Sequence, residues 1–235
     1  MPSYSHSKLS SYENCPRQYC FRYIEKIKLP EAPEGIEAFL GSRVHEVLEK
    51  LYKELTLSRL NSLEELLEYY RSQWDRNWHE NVLIVKKGFT REHYFKTGQR
   101  AIRDYYNRYR PFRQARTIAT EYRVNFKIDG YALQGFIDRL SGAGDGVYEI
   151  HDYKTSGSLP EQTWLDADRQ LALYQIGIRE RFRDARDIRL IWHYLLFDQE
   201  LTSARSEEQL SELKQQIGGL IKKIEKDTRF EPQES

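Results

Sequence analysis

The sequence predicts an α/β fold, a mixed central sheet flanked by helices, with an N-terminal helical portion. Three observations predict it. Apolar residues recur at helical spacing through the first half, Tyr122, Val124, Phe126 and Ile128 alternate strictly with polar neighbours, and Leu190–Phe197 is apolar at nearly every position, as in a strand buried on both faces. With 235 residues and 39% apolar content the chain can bury a sizeable core. It reads as one domain, mainly helical over 1–116 and an α/β core over 117–235.

Each element has a local reason. Asn14 or Cys15 followed by Pro16 starts a helix whose apolar surface is Tyr19, Phe21 and Tyr23, and Pro30, Pro33 and Gly35 mark the loop after it. From Gly41 to Leu55 a helical stripe is formed by Leu40, Val44, Val47, Leu48 and Leu51, with His45 beside it and facing inward. Ser62-Leu63-Glu64-Glu65 is a capping box opening a helix through Trp74 and Trp78. Another helix runs from Thr90 to Tyr109 and stops at Pro111. Asp129-Gly130 is a tight turn between the alternating strand and Tyr131–Leu140, and the glycine-rich run Ser141–Gly146 turns into Val147–Thr155. Pro160 opens a helix carrying Gln170 and Tyr174, and Ser206-Glu207-Glu208-Gln209 caps a last helix through Leu210, Leu213, Ile217, Leu220 and Ile224.

Composition excludes some function classes. The 37 basic and 36 acidic residues give a net charge of +1, so nothing draws the chain as a whole to a polyanion, and nucleic-acid binding must come from local clustering. Two cysteines, Cys15 and Cys20, make a disulfide framework unexpected, and no stretch approaches transmembrane length. The expectation is a soluble, cytoplasmic protein without a membrane partner.

The chemistry concentrates between Gly135 and Tyr174. A strand period of two puts Asp152 and Lys154 on one face, and Asp138, on the adjacent hairpin strand, can approach Asp152. Two carboxylates that close repel unless a cation lies between them, and oxygen ligands with open positions suit Mg²⁺ or Mn²⁺. Lys154 is then placed to orient or deprotonate a water. On residues alone, His45 is either a further ligand, more natural for Mn²⁺ than for Mg²⁺, or a satisfied core histidine.

Ser5-His6-Ser7-Lys8-Leu9 through Tyr12, Cys15-Pro16, Gly41-x-x-x-His45, Gly135-x-Ile137-Asp138, Asp152-x-Lys154 and Gln170-x-x-x-Tyr174 occur in an order that resembles a RecB-type nuclease of the PD-(D/E)XK superfamily, over nearly the whole length. The resemblance implies a restriction-endonuclease-like core and a Mg²⁺- or Mn²⁺-dependent deoxyribonuclease. It further implies that His45, Asp138, Asp152 and the Tyr153 carbonyl are metal ligands, that Lys154 is the catalytic lysine, and that Gln170 and Tyr174 contact DNA or support the site. The implied activity is exonucleolytic, on single-stranded DNA or duplex ends, in repair, recombination or CRISPR adaptation, with other proteins of those pathways as partners. A DNA-end-binding module within a larger assembly is the alternative. Some such relatives hold a four-iron cluster on a cysteine at the Cys15 position and three near the C-terminus. Two cysteines cannot supply four thiolates, so no iron–sulfur cluster is expected in the chain as given; either the cluster has been lost or the chain is cut short of those cysteines.

Between Arg100 and Arg116, arginines that include Arg103 and Arg108 interleave with Tyr105, Tyr106 and Tyr109. That pattern suits phosphate contacts and base stacking, and equally a solvated helix face over packed tyrosines. Glu121 reads as part of the polar face of its strand, and Asp166 and Asp168 as surface charges on the first turns of the Gln170 helix.

Overall fold

The computed structural model describes residues 3–27 and 33–233, so Pro30 and the final two residues lie outside the description. The helices are α1 (His6–Asn14), α2 (Pro16–Tyr19), α3 (Ile36–Thr56), α4 (Leu63–Asn77), α5 (Arg91–Tyr109), α6 (Gln162–Ala167), α7 (Arg169–Arg181) and α8 (Glu207–Lys226). The strands are β1 (Glu34–Gly35), β2 (Val82–Leu83), β3 (Arg116–Ile128), β4 (Tyr131–Gly144), β5 (Val147–Lys154), β6 (Asp187–Tyr194) and β7 (Gln199–Ser203). β1 and β2 form a small parallel pair, and the central sheet has the order β3-β4-β5-β6-β7. It is mixed: β5 and β6 are parallel, joined through α6 and α7, while the other pairs are antiparallel.

Helices flank both sides. On one, Leu9 and Tyr12 of α1, Leu171–Ile178 of α7 and Leu210–Ile224 of α8 pack against Val124, Phe126, Ile150 and Trp192. On the other, Val44, Leu48 and Leu51 of α3 meet Tyr70 and Trp74 of α4, Ile102 and Tyr105 of α5, and Tyr153 from the sheet. Local chemistry sets many boundaries. Ser62 and Glu65 cap α4, and Ser206 and Gln209 cap α8, each as a reciprocal box. Thr90 caps α5 by accepting from the His93 N–H. Asp129 and Gly130 both take positive φ, as a two-residue hairpin turn requires.

Four expectations need correction. The glycine-rich turn is confined to Asp145-Gly146, because β4 continues to Gly144. Phe21 is exposed, lying in a π-helical turn over Cys20–Ile24. β6 ends at Tyr194, and Leu195–Phe197 coil into a 3₁₀ turn in which Leu195 joins the α3–α5 core. The helix after Pro160 is two helices broken at Asp168, which caps α7 by accepting from the Gln170 and Leu171 N–H groups. The break is tied from a distance: Arg205 Nη2 donates to the carbonyls of Leu165 at 2.6 Å and Asp168 at 2.9 Å. Asp168 is therefore a helix cap, and Asp166 accepts from Ser203 and Gln162.

Candidate active site

The site forms where β4 and β5 separate. Their pairing runs from Arg139↔His151 to Gly144↔Val147, leaving Asp152, Tyr153 and Lys154 without partners on β4. Asp138 fills the opening: its Oδ2 accepts from the Tyr153 N–H at 2.7 Å, in place of a ladder carbonyl. β3 is irregular at the same level. Glu121, opposite Asp138 between the pairs Thr120↔Arg139 and Tyr122↔Ile137, has φ 46°, a strained conformation for a glutamate. The strand pair turns over there, because Ile137 joins the α7 side of the core while Arg139 stacks on Tyr52 of α3. Glu121 is exposed, as its place on a polar strand face implies, yet it stands at the edge of the site. Its carboxylate, one ring nitrogen of His45 and an oxygen of Asp138 lie within 4.8 Å of one another.

Helix α3 delivers His45. A methyl group at Gly41 would come 2.9 Å from Thr155 Oγ1, so glycine lets α3 approach the end of β5 one turn before His45. His45 Nε2 donates to the Tyr153 carbonyl at 2.8 Å, and Nδ1 lies 3.6 Å from Asp138 Oδ2. Burial lowers the His45 pKa, against the opposing pull of Asp152 and the Tyr153 carbonyl. In the resulting neutral ring the Nδ1 lone pair faces a carboxylate.

Asp152 and Lys154 extend from the same face of β5. Lys154 Nζ is 2.7 Å from Asp152 Oδ2, a charge-assisted contact between an ammonium and a buried carboxylate. Burial and the neighbouring Asp152 push Asp138 up to about 7, and burial raises Asp152 despite Lys154. Burial opposes charge on Lys154, yet Asp152, Asp138 and Asp168 together hold it above the ordinary lysine value. Burial and Asp138 likewise raise Glu121. Buried Asp152, half-buried Asp138, exposed Glu121 and a bare imidazole nitrogen form a donor set in which three carboxylates face the one ammonium of Lys154.

Gln170 and Tyr174 occupy one face of α7, with Gln170 Nε2 3.4 Å from the Tyr174 hydroxyl. The Tyr174 ring lies flat against Gly135, where any side chain would collide with it, so the glycine three residues before Asp138 and the Gln-x-x-x-Tyr motif are one packing unit. At the N-terminus Ser5 caps α1, Leu9 is buried, and the Tyr12 hydroxyl donates to Asp227 at 2.7 Å. Cys15 and Cys20 are free thiols. Arg103 lies on the exposed face of α5, whereas Arg108 is held by the carbonyl and carboxylate of Asp198. Tyr105 and Tyr106 are buried, and the Tyr109 hydroxyl donates to Glu200, so this segment offers no free ring pair for stacking on bases.

The sequence matches the PD-(D/E)XK nuclease superfamily over residues 3–235. The chain belongs to that superfamily. Its fold is similar to the crystal structure of a "Putative exonuclease" from Eubacterium rectale, with a TM-score of 0.56 at 10% identity over 95% of this chain and 83% of that one. A second solved structure, SSO0001, aligns over 92% of this chain and 84% of its own at 12% identity with a TM-score of 0.29. Comparison with curated proteins gives no match. Superfamily membership makes the chain a nuclease by class and a divalent metal its cofactor. Among the described residues no helix is long and apolar enough to cross a membrane.

Proposed function

We propose that the protein is a deoxyribonuclease that hydrolyses phosphodiester bonds at DNA ends with Mg²⁺ or Mn²⁺. The observation that carries this reading is the meeting of His45, Asp138 and Glu121, whose ligand atoms lie within 4.8 Å of one another, beside the Asp152–Lys154 ion pair and within the electrostatic reach of Asp152. A fold that only bound DNA would have no use for opposed buried carboxylates. The groups that would hold the cation are His45, Asp138, Asp152 and the Tyr153 carbonyl, with Glu121 adjoining. The residues fit it: adjacent ligands on an ion with bonds of about 2.1 Å lie about 3 Å apart, and His45 Nδ1, the ring nitrogen left bare by the Nε2 hydrogen bond, lies 3.6 Å from Asp138 Oδ2. A bound cation supplies a water of lowered pKa and offsets charge on the phosphate.

The chain's own groups do the rest. Lys154 orients the attacking water and faces the phosphate with a full positive charge. The Asp168 cap and the Gly135 contact fix the start of α7, placing Gln170 and Tyr174 to position the strand. Arg103 is free to meet a phosphate, and Arg108 can do so only by leaving Asp198. Exonucleolytic action, 5′-phosphate products and a place in repair, recombination or CRISPR adaptation complete the reading, supported by the motif resemblance.

The test is incubation of purified protein with end-labelled linear and closed circular DNA, single and double stranded, with Mg²⁺, Mn²⁺ or EDTA, beside Asp152→Ala. Loss of label from linear DNA only, abolished by EDTA and by Asp152→Ala, is expected. Full activity in Asp152→Ala overturns the site, and tight end binding without cleavage points to a DNA-end-binding module instead.

A further inference from the structure

Trp164 on α6 is 52% exposed, whereas Trp74 and Trp192 are fully buried and Trp78 packs edge-on against Phe39. A half-exposed indole leaves a large rigid apolar face in water and is characteristic of binding surfaces. Trp164 forms one wall of an open cleft of about 680 Å³, whose other walls include Ser156, Ser158, Glu161 and Tyr194. Such a volume lies within the range of small-ligand clefts, roughly 300–1,000 Å³.

The cleft adjoins the catalytic centre. Tyr194 is the β6 register partner of Lys154, one strand spacing away, and Ser156 follows Lys154 by two residues in the chain. Ser156 Oγ donates to the Ser158 carbonyl at 3.1 Å, holding that loop in a turn of its own. The lining selects among occupants. Glu161 is the one charged group among the residues of the wall, and it repels a phosphate. A protein segment needs a long contiguous apolar strip, yet the apolar lining here is limited to Trp164, Pro160 and the ring of Tyr194, set among Ser156, Ser158, Thr163 and Glu161. A flat π-system with polar edges matches an indole face rimmed by hydroxyls and a carboxylate.

We propose that this cleft holds one unpaired nucleobase, stacked on Trp164, of the strand whose phosphate lies at Lys154. The proposal rests on the nuclease reading and refines it: the substrate is a strand with an unpaired base beside the scissile bond, since a base paired in the interior of a duplex has both faces already stacked. Aromatic stacking, which the sequence pattern suggested for the α5 tyrosines, belongs instead to α6.

The experiment compares wild type, Trp164→Phe and Trp164→Ala on single-stranded oligodeoxynucleotides carrying one abasic site moved stepwise from the cleaved bond. Trp164→Ala is expected to raise KM roughly 5- to 100-fold with a smaller change in kcat, and Trp164→Phe to recover most of the loss. At one position the abasic site should cost wild type the same factor and cost Trp164→Ala nothing further. Independent, additive effects at every position, or an unchanged KM in Trp164→Ala, overturn the proposal. If wild type cleaves nothing, the nuclease reading fails by itself, and the cleft is judged by tryptophan emission in EDTA. Quenching by an intact oligonucleotide that is lost in Trp164→Phe supports stacking; no quenching by any oligonucleotide refutes it.

Discussion

Asp138 and Arg139 are consecutive in β4, and His151 and Asp152 are consecutive in β5, yet each pair divides between two polar clusters of opposite character. Where the strands are paired, buried Arg139, His151, Ser141 and His193 bond to one another, although the buried Nε of Arg139 finds no partner among the described residues. Arg139 Nη2 donates to His151 Nδ1 at 2.9 Å, His151 Nε2 lies 2.8 Å from Ser141 Oγ, and the two imidazoles are 2.9 Å apart. Tyr109 and Glu200 close the chain at His193, and the Arg139 guanidinium stacks 4.0 Å over Tyr52. One residue further on, where the strands part, Asp138, Asp152 and Glu121 share one ammonium, that of Lys154. Buried polar groups that bond to one another join layers of a fold, while carboxylates gathered with too few cations cost stability. The inner cluster fastens the sheet to α3 and α5; in the function proposed above the outer one holds a cation and faces a phosphate.

The sharpest way to break this contrast is at Lys154. If it serves chemistry and not coordination, Lys154→Ala lowers kcat by roughly 10²- to 10⁴-fold, while the dissociation constant for Mn²⁺ by calorimetry changes by only a few-fold. An equal loss in both would show that the lysine sustains the metal site and would merge the two roles separated here.

Asp138 tests the claim that the outer cluster costs stability. Its folded pKa of about 7 stands above the ordinary 3.8, so the protonated form is favoured by folding. The stabilisation is complete below pH 3.8 and is lost as pH rises through about 7. In EDTA at pH 8, Asp138→Asn should therefore be more stable than wild type by roughly 2–4 kcal/mol, with its side-chain oxygen still accepting from the Tyr153 N–H. Urea unfolding at pH 8 and at pH 3.5 measures it. The gain should vanish at the lower pH, and a destabilised variant at pH 8 would mean that the carboxylate is satisfied without metal.

What could be read in advance follows the same division between local and distant causes. The capping boxes at Ser62 and Ser206 and the Asp129-Gly130 turn are chemistry between near neighbours, and the strands around Asp138 and Asp152 show in their alternation. The break at Asp168 depends on Arg205, far along the chain, and β7 is too short and polar to carry a pattern. The strained φ of Glu121 is imposed by the parting of β4 from β5, so nothing in Glu121-Tyr122-Arg123 marks it. Trp164 was hidden by its own residue type, which in a helical stretch usually means core. His45 stood open between ligand and core histidine on residues alone, and the motif around it tilted the reading; its ring in fact lies against Asp138 and the Tyr153 carbonyl.

The smallest expected effect sharpens the comparison from the inner side. Burial holds His193 and His151 well below the ordinary 6.5, with His151 and Arg139 adding to the effect on His193, and Arg139 on His151. Both are neutral in the fold and take up protons on unfolding. Their contribution leaves stability intact above pH 6.5 and erodes it as pH falls, by up to about 1.4 kcal/mol per pH unit for each histidine. Asp138 acts in the opposite direction over the same range, gaining stability for the fold as it protonates, so wild type partly conceals the histidines. In an Asp138→Asn background that concealment is removed. Adding His193→Gln should then flatten the decline in unfolding free energy between pH 6.5 and 5.5 by about one proton's worth, roughly 1 kcal/mol, whatever its effect on stability at pH 8. Parallel curves for the single and double variants would show that His193 is protonated in the fold, a second positive charge beside Arg139 in the inner cluster.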